Sequence, residues 1–243
     1  MNIELNLKPQ LNKHAVTGSV YKILNLYACL GGNRYKWDEV AKEKGIEIKV
    51  TAVELDEEAA KLYQERFPND KVIIADAHQY LLNNYKNFDF IWSSPPCPSH
   101  SKARYWGFGK NGLQPVYPDM KLYEEVIFLK YHFFGKWVVE NVNPYYEPMF
   151  NPIQKDRHTY WSNFKFPNVL SNRNDSALVQ ASRLQDLCDF HNYDFRKYKG
   201  KQRILKMARN LVDYEAGRTI FETVLGIEKK KNVQQVSIFD AIG

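Results

Sequence analysis

The sequence predicts an α/β fold in which a doubly wound, mostly parallel sheet carries helices on both faces. Three observations predict it. Short β-prone runs recur through residues 20–142, their centres are near-continuous apolar blocks, and helical or loop stretches separate them. Apolar blocks of this kind suit strands covered on both faces, whereas a half-exposed strand would alternate.

The elements follow in order. The first run, VYKILNLYA (20–28), precedes a helical face on which Trp37, Val40 and Ala41 recur at i, i+3, i+4 spacing. The second, IEIKVTAVEL (46–55), leads into DEEAAKLYQERF (56–67), whose acidic start suits a helix N-terminus. KVIIAD (71–76) and FDFIWS (88–93) read as the third and fourth strands, and WVVENV (137–142) as the fifth. Between the last two, DMKLYEEVIFLKYHFF (119–134) is long enough for a helix. Residues 168–201 lack periodicity and read as irregular structure or a small inserted module. A closing helix over 216–227 and a flexible tail over 228–243 are expected.

Composition bounds the function. The 243 residues are 44% apolar and 26% charged, enough for one large domain, or one with a small appendage. No stretch approaches the roughly 18 apolar residues of a membrane span, and the first residues lack a signal peptide's apolar run. A cytosolic or nuclear protein is therefore expected. Cys29, Cys97 and Cys188 are odd in number and form no C-x-x-C pair, so free thiols and no metal site are expected. Residues 1–150 carry 18 Lys+Arg and 18 Asp+Glu, while residues 151–243 carry 16 and 10. The whole excess of +6 lies in the last 93 residues, which points to a surface that meets a polyanion.

Ligand sites of such folds lie at the C-terminal strand ends, and here those ends carry chemistry. The first closes in Tyr27, Ala28, Cys29, Leu30, Gly31 and Gly32, a glycine turn that lets a ligand approach the backbone. The second closes in Glu54, placed for ribose hydroxyls; the third in Asp76, placed for an adenine amino group. Either carboxylate would also serve as a helix cap. Three such ends in order suit an adenosine-containing ligand, and no triphosphate-binding G-x-x-x-x-G-K-[ST] loop is present. The fourth strand runs into Pro95, Pro96 and Cys97, a stiff turn presenting a thiol, with Lys102 and Arg104 expected to lower its pKa. The fifth holds Glu140, a carboxylate with no basic neighbour in the sequence; a raised pKa would let it donate a proton.

In order and spacing, residues 22–165 resemble the DNA cytosine-C5 methyltransferases. The 27–32 loop is similar to that family's Phe-x-Gly-x-Gly, Glu54 and Asp76 to its ribose and adenine acids, Pro95-Pro96-Cys97 to its nucleophile motif, and Glu140-Asn141-Val142 to its Glu-Asn-Val. Arg157, in QKDRH (154–158), resembles the arginine of its Gln-x-Arg-x-Arg motif. Cys29 stands at the first family glycine and Pro98 at the usual glutamine, and no Gly-Asn-Ser/Ala-Val motif is present near the C-terminus.

The resemblance implies a Rossmann-like class I fold that binds S-adenosylmethionine through Tyr27, Ala28, Leu30, Gly31, Gly32, Glu54, Leu55, Asp76, Ala77 and Pro96. It implies Cys97, Glu140 and Arg157 as catalytic residues acting on a cytosine flipped out of double-stranded DNA. Ser99, Ser101, Lys102 and Arg104 would belong to a mobile loop over the base (99–112). Lys199, Lys201 and Arg203, in the acid-free basic run 196–209, would contact phosphates. The division implied is a catalytic domain over 1–165, a small recognition region over 166–215, a helix returning over 216–227 and the tail. In that tail QVSIF, from Gln235 to Phe239, resembles the peptide that bacterial proteins insert into the sliding clamp. The implied protein is a monomer in the cytoplasm of a bacterial or phage-infected cell, associated with the nucleoid. An amino-methyltransferase acting on cytosine N4 or adenine N6, a catalytically inactive DNA-binding protein on this fold, and an RNA substrate remain the alternatives. The sequence names no target site.

Overall fold

The β-prone runs fold as parallel strands β1 (Val20–Leu26), β2 (Glu47–Glu54), β3 (Lys71–Ile74), β4 (Phe90–Ser93) and β5 (Lys136–Val142). A computed structural model, which describes residues 17–102, 116–173 and 183–227, shows them in one sheet with two further strands. These are β6 (Ile153–Lys155) and β7 (His158–Ser162), a hairpin that pairs antiparallel to β5. The order is β3-β2-β1-β4-β5-β7-β6, so the chain reverses its direction of travel between β1 and β4. The expected α/β, doubly wound, mostly parallel fold is therefore observed.

The expected strands are trimmed at their ends, because residues beyond Leu26, Glu54, Ile74 and Ser93 turn away as ligand-facing loops. The hairpin was not expected. Its strands are three and five residues long, and it turns at Asp156, whose φ of 52° replaces the glycine that usually signals such a turn.

Helices α1 (Trp37–Lys44), α2 (Glu57–Arg66), α3 (Ala77–Asn84) and α4 (Lys121–His132) connect the strands. Their boundaries have local causes. Asp56 caps α2 by accepting from the amides of Glu58 and Ala59, and α1 stops at Gly45, whose φ of 71° is the left-handed conformation glycine adopts without strain. Short helices α5 (Leu184–His191), α6 (Ile204–Asn210) and α7 (Tyr214–Val224) follow. Of the two readings of 168–201, irregular structure or a small inserted module, the first does not hold over 184–191: Leu187, Cys188 and His191 share the buried face of α5, and Asn192 ends it at a φ of 49°.

Alternate residues of the sheet feed two cores. Ile23, Phe90, Trp92 and Val138 pack with Trp37 of α1 and Ile220 and Phe221 of α7 on one face. Leu24, Leu26, Ile91 and Val139 pack with Leu81 of α3 and Leu122 and Leu129 of α4 on the other. Trp37 is fully buried, with its indole donating to the Gly217 carbonyl at 3.3 Å. Residues 184–211 add a smaller cluster, with Leu187, Phe195, Tyr198 and Met207 against Leu30 and Leu62. Among the described residues no helix is long and apolar enough to cross a membrane.

Candidate active site

The ends of the parallel strands open into one cavity of about 1270 Å³ at the reversal point of the sheet. Of the residues expected to hold a cofactor, Tyr27, Ala28 and Gly32 line it from the β1 loop. Glu54 and Leu55 line it after β2, Asp76 and Ala77 after β3, and Pro96 after β4. Leu30 and Gly31 do not. Leu30 is buried against Ala59 and Leu62 of α2.

The two glycines also answer to the protein's own packing. A Cβ at Gly31 would sit 2.4 Å from the Phe67 ring, and one at Gly32 would sit 2.3 Å from the Val212 carbonyl oxygen. Both are required by the protein's own packing. The loop is wound by left-handed residues at Tyr27 (φ 55°), Cys29 (φ 47°) and Gly31 (φ 68°). Burial, and next the Glu54 carboxylate, push the Cys29 thiol up to about 12, so it stays protonated.

Glu54 is fixed by three backbone amides: Cys29 donates to Oε2 at 2.8 Å, and Leu55 and Asp56 donate to Oε1 at 2.9 Å each. Burial raises its pKa and these bonds oppose the rise. Asp76 does cap α3, accepting from Gln79 at 2.9 Å, and that bond is the main cause of its lowered pKa. Its other oxygen lies 3.7 Å from Lys121 Nζ at the cavity edge. Leu55 is 68% exposed beside these acids. A carboxylate in the floor with an open aliphatic face next to it fits the hydroxyls and the flat base of a nucleoside, so the residues present fit the adenosine part of S-adenosylmethionine.

Across the cavity lie Cys97, Glu140 and Arg157, brought together from β4, β5 and the β6–β7 turn. Pairing of Glu140 with Tyr160 and of Val142 with His158 sets Arg157 and His158 beside the end of β5. Burial pushes Glu140 up to about 7, against a hydrogen bond from Ser94 and the charge of Arg157. Expecting no basic neighbour was thus incorrect: besides Arg157, His158 Nε2 lies 3.6 Å from Glu140 Oε1. The Cys97 thiol is also raised, first by burial and then by Glu140, while Lys206 and Arg157 pull it down. Among the described residues, the cations acting on it come from α6 and the hairpin, and Lys102 is not among the main causes. Arg104 lies outside the described residues.

Sequence reasoning missed several supporting groups. Asn141 Nδ2 donates to the Pro95 carbonyl at 2.9 Å, and its Oδ1 accepts from Val142 N, so the Glu-Asn-Val strand holds the Pro-Pro-Cys turn in place. The amides of His100 and Ser101 both donate to the Cys97 carbonyl at 3.0 Å, closing the turn behind the thiol. Ser94 accepts from the Trp92 indole at 2.8 Å while it bonds Glu140. Asn141 and Pro95 stand in the quoted motifs, but their supporting roles are read from contacts.

Of the residues expected to meet a polyanion, Lys199 and Lys201 line the cavity, joined there by Lys206 and Arg209. Arg203 is exposed at the start of α6, outside the lining. Ser99, Ser101 and Lys102 also lie outside it; Ser99 Oγ accepts from Asp119 N at 3.0 Å, and Ser101 bridges to Pro144. Gln235 to Phe239 fall outside the described residues. Among the described residues no three His, Cys, Asp or Glu side chains converge as a metal-binding set.

A family model described as C-5 cytosine-specific DNA methylase matches residues 21–143, half of the chain. Among solved structures, a Spodoptera frugiperda DNMT2 mutant is 24% identical over 50% of this chain and 35% of its own, with a TM-score of 0.35. The Entamoeba histolytica methyltransferase EhMeth is 14% identical over 50% of this chain and 38% of its own, with a TM-score of 0.33. TrmN from Thermus thermophilus is 20% identical over 52% and 34%, with a TM-score of 0.30. The chain thus spans little more than a third of these structures' lengths. No curated protein matches it.

Proposed function

The chain belongs to the C-5 cytosine-specific DNA methylase family, and from that premise we propose that it methylates C5 of a cytosine swung out of duplex DNA. The reading rests on one observation: Cys97, Glu140 and Arg157 line the same cavity as Glu54, Leu55 and Asp76, so nucleophile, acid and nucleoside site share one space. S-adenosylmethionine supplies an electrophilic methyl group there when bound. Glu54 and Asp76 would hold its hydroxyls and base edge, and Leu55 would cover the base face.

The chain's own residues carry the other steps. A cytosine in the stack hides C5 and C6, so it must first be extruded. The Cys97 thiolate adds to C6 while Glu140, whose buried carboxyl is pushed up to about 7, supplies a proton to N3. Arg157 holds O2. Addition at C6 would make C5 electron-rich toward the methyl group that S-adenosylmethionine would supply, with S-adenosylhomocysteine as the leaving group; a base takes the C5 proton, the N3 proton returns to Glu140, and the Cys97–C6 bond breaks to return the thiolate. Lys199, Lys201 and Arg203 contact phosphates, and residues 166–215 read the target.

The test is nucleoside mass spectrometry on DNA from a methylation-free host expressing the protein or Cys97→Ala. The expected result is 5-methyldeoxycytidine that vanishes in the variant. N4-methylcytosine or N6-methyladenine overturns the reading, as does 5-methylcytosine that persists in Cys97→Ala. The tail from Gln235 to Phe239 is proposed as a sliding-clamp ligand, an idea that ends if a peptide of residues 230–243 does not bind the host clamp.

A further inference from the structure

Glu125 of α4 is fully buried in the apolar layer between α3, α4 and the sheet, among Leu122, Val126 and Leu129. A carboxylate is tolerated there only if donors meet its oxygens. Three do. Tyr27 Oη donates to Oε1 at 2.6 Å, Ser93 Oγ donates to Oε2 at 2.5 Å, and His78 Nδ1 lies 3.1 Å from Oε1. His78 Nε2 also lies 3.4 Å from Glu124. The bond to Glu125 is the main cause of the raised His78 pKa, and burial followed by Glu125 keeps the Tyr27 phenol protonated as a donor.

The donors come from three different strand ends, and each adjoins the active cavity. Tyr27 follows β1 and lines the cavity from a left-handed conformation that a tyrosine rarely adopts. Ser93 ends β4; the next residue, Ser94, bonds Glu140, and the turn then reaches Cys97. His78 follows Asp76 and Ala77 in the first turn of α3. Both carboxylate oxygens are engaged, so Tyr27 and Ser93 are tied to opposite ends of one rigid group.

We propose that Glu125 is a positioning residue that fixes the cofactor loop and the nucleophile turn relative to each other, coupling cofactor occupancy to the placement of Cys97. This rests on the methyltransferase reading above. Neither Glu125 nor Ser93 lines the cavity, so any effect of either on a ligand must travel through the loops they hold.

The experiment uses the full chain, with S-adenosylhomocysteine binding by calorimetry and alkylation of the Cys97 peptide by mass spectrometry. Tyr27→Phe keeps the ring and removes one donor; Ser93→Ala removes the other. Each is expected to weaken S-adenosylhomocysteine about fivefold, the size of one hydrogen bond, and to change the Cys97 alkylation rate about as much. Tyr27→Phe thus acts on a residue of β4's turn, and Ser93→Ala on a ligand it does not touch. Folded variants that keep both readouts within twofold of the parent overturn the proposal. So does any result in which each variant moves only the readout of its own loop. Should Glu125→Gln not fold, the two hydroxyl deletions still decide. Glu54→Ala separates the premises: if the parent binds no S-adenosylhomocysteine and Glu54→Ala changes nothing, the methyltransferase reading falls and this proposal with it.

Discussion

Replacing Glu140 with glutamine should abolish turnover and yet stabilise the protein at alkaline pH. Glu140 is 6% exposed, and burial lifts its pKa from 4.5 to about 7 despite the Ser94 bond and the Arg157 charge. That rise is worth about 3 kcal/mol. In the unfolded chain the carboxyl ionises near 4.5, whereas the folded protein keeps its proton until about 7. The favourable contribution is therefore complete below pH 4.5 and is lost as pH rises through 7, because the folded state must then hold a buried anion. A glutamine has no such proton to lose. Glu140→Gln should match the parent near pH 4.5 and exceed it at pH 8 by up to about 3 kcal/mol, or roughly 6–12 °C in Tm for a chain of this size. Thermal melts from pH 4.5 to 8.5 measure the difference, and single-turnover methylation should fall about 10²–10⁴-fold in the same variant. A Tm offset that does not change with pH would refute the reasoning, because burial would then not be what sets the Glu140 proton.

Other expectations follow from neighbouring contacts. Lys206→Met removes the cation that most lowers the Cys97 pKa, so the pH midpoint of Cys97 alkylation should move up, and Glu140→Gln should move it down. An unmoved midpoint in both variants would show that burial alone controls the thiol. Asn141→Ala leaves the Pro95 carbonyl and the Val142 amide unmet; it should cost about 2 kcal/mol in melts and, by displacing the turn that holds Cys97, about 10²-fold in methyl transfer. Neutralising Lys199, Lys201 and Arg203 together should weaken DNA binding and flatten its log–log salt dependence by up to about 3, which titration at several salt concentrations reads directly.

The fold was legible because its five parallel strands are buried on both faces, which writes them into the sequence as apolar blocks such as ILNL and FIW. The β6–β7 hairpin left no such mark. Its turn bends at a left-handed aspartate rather than at Asn-Gly or Asp-Gly, and β6 is only three residues long with one face half exposed. Helix α5 was hidden for a related reason. Its N-terminus carries no capping side chain, and its stability comes from burying Leu187, Cys188 and His191 against α6 and the neighbouring loops, which local sequence does not encode. At the site, strand-end position exposed Glu54, Asp76, Cys97 and Glu140. It did not reveal the packing need for the Gly31–Gly32 pair, because the rings and carbonyl that exclude a Cβ come from residues 63–67 and 212.

The same limit explains why the cations around Cys97 were misplaced. Proximity along the chain nominated Lys102; among the described residues the fold instead brings Lys206 across more than a hundred residues. The attachment that makes this possible is Asp56. One of its oxygens caps α2, and the other accepts from Tyr198 Oη at 2.6 Å and from Gln202 Nε2 at 3.2 Å, while Gln202 N donates back to the Tyr198 hydroxyl at 3.1 Å. These bonds hold the side chain in its anionic form against the modest cost of its partial burial. They also pin residues 198–202 to the strand end that carries Glu54, and Lys199, Lys201 and Lys206 line the cavity, where Lys206 lowers the pKa of the Cys97 thiol. Part of the basic region, Lys199, Lys201, Lys206 and Arg209, is thus cavity wall, while Arg203 is exposed outside it. Lys206 on that wall is the cation that most lowers the Cys97 thiol, and Arg157 from the hairpin lowers both Cys97 and Glu140, so residues far apart in the chain set the protonation of both groups.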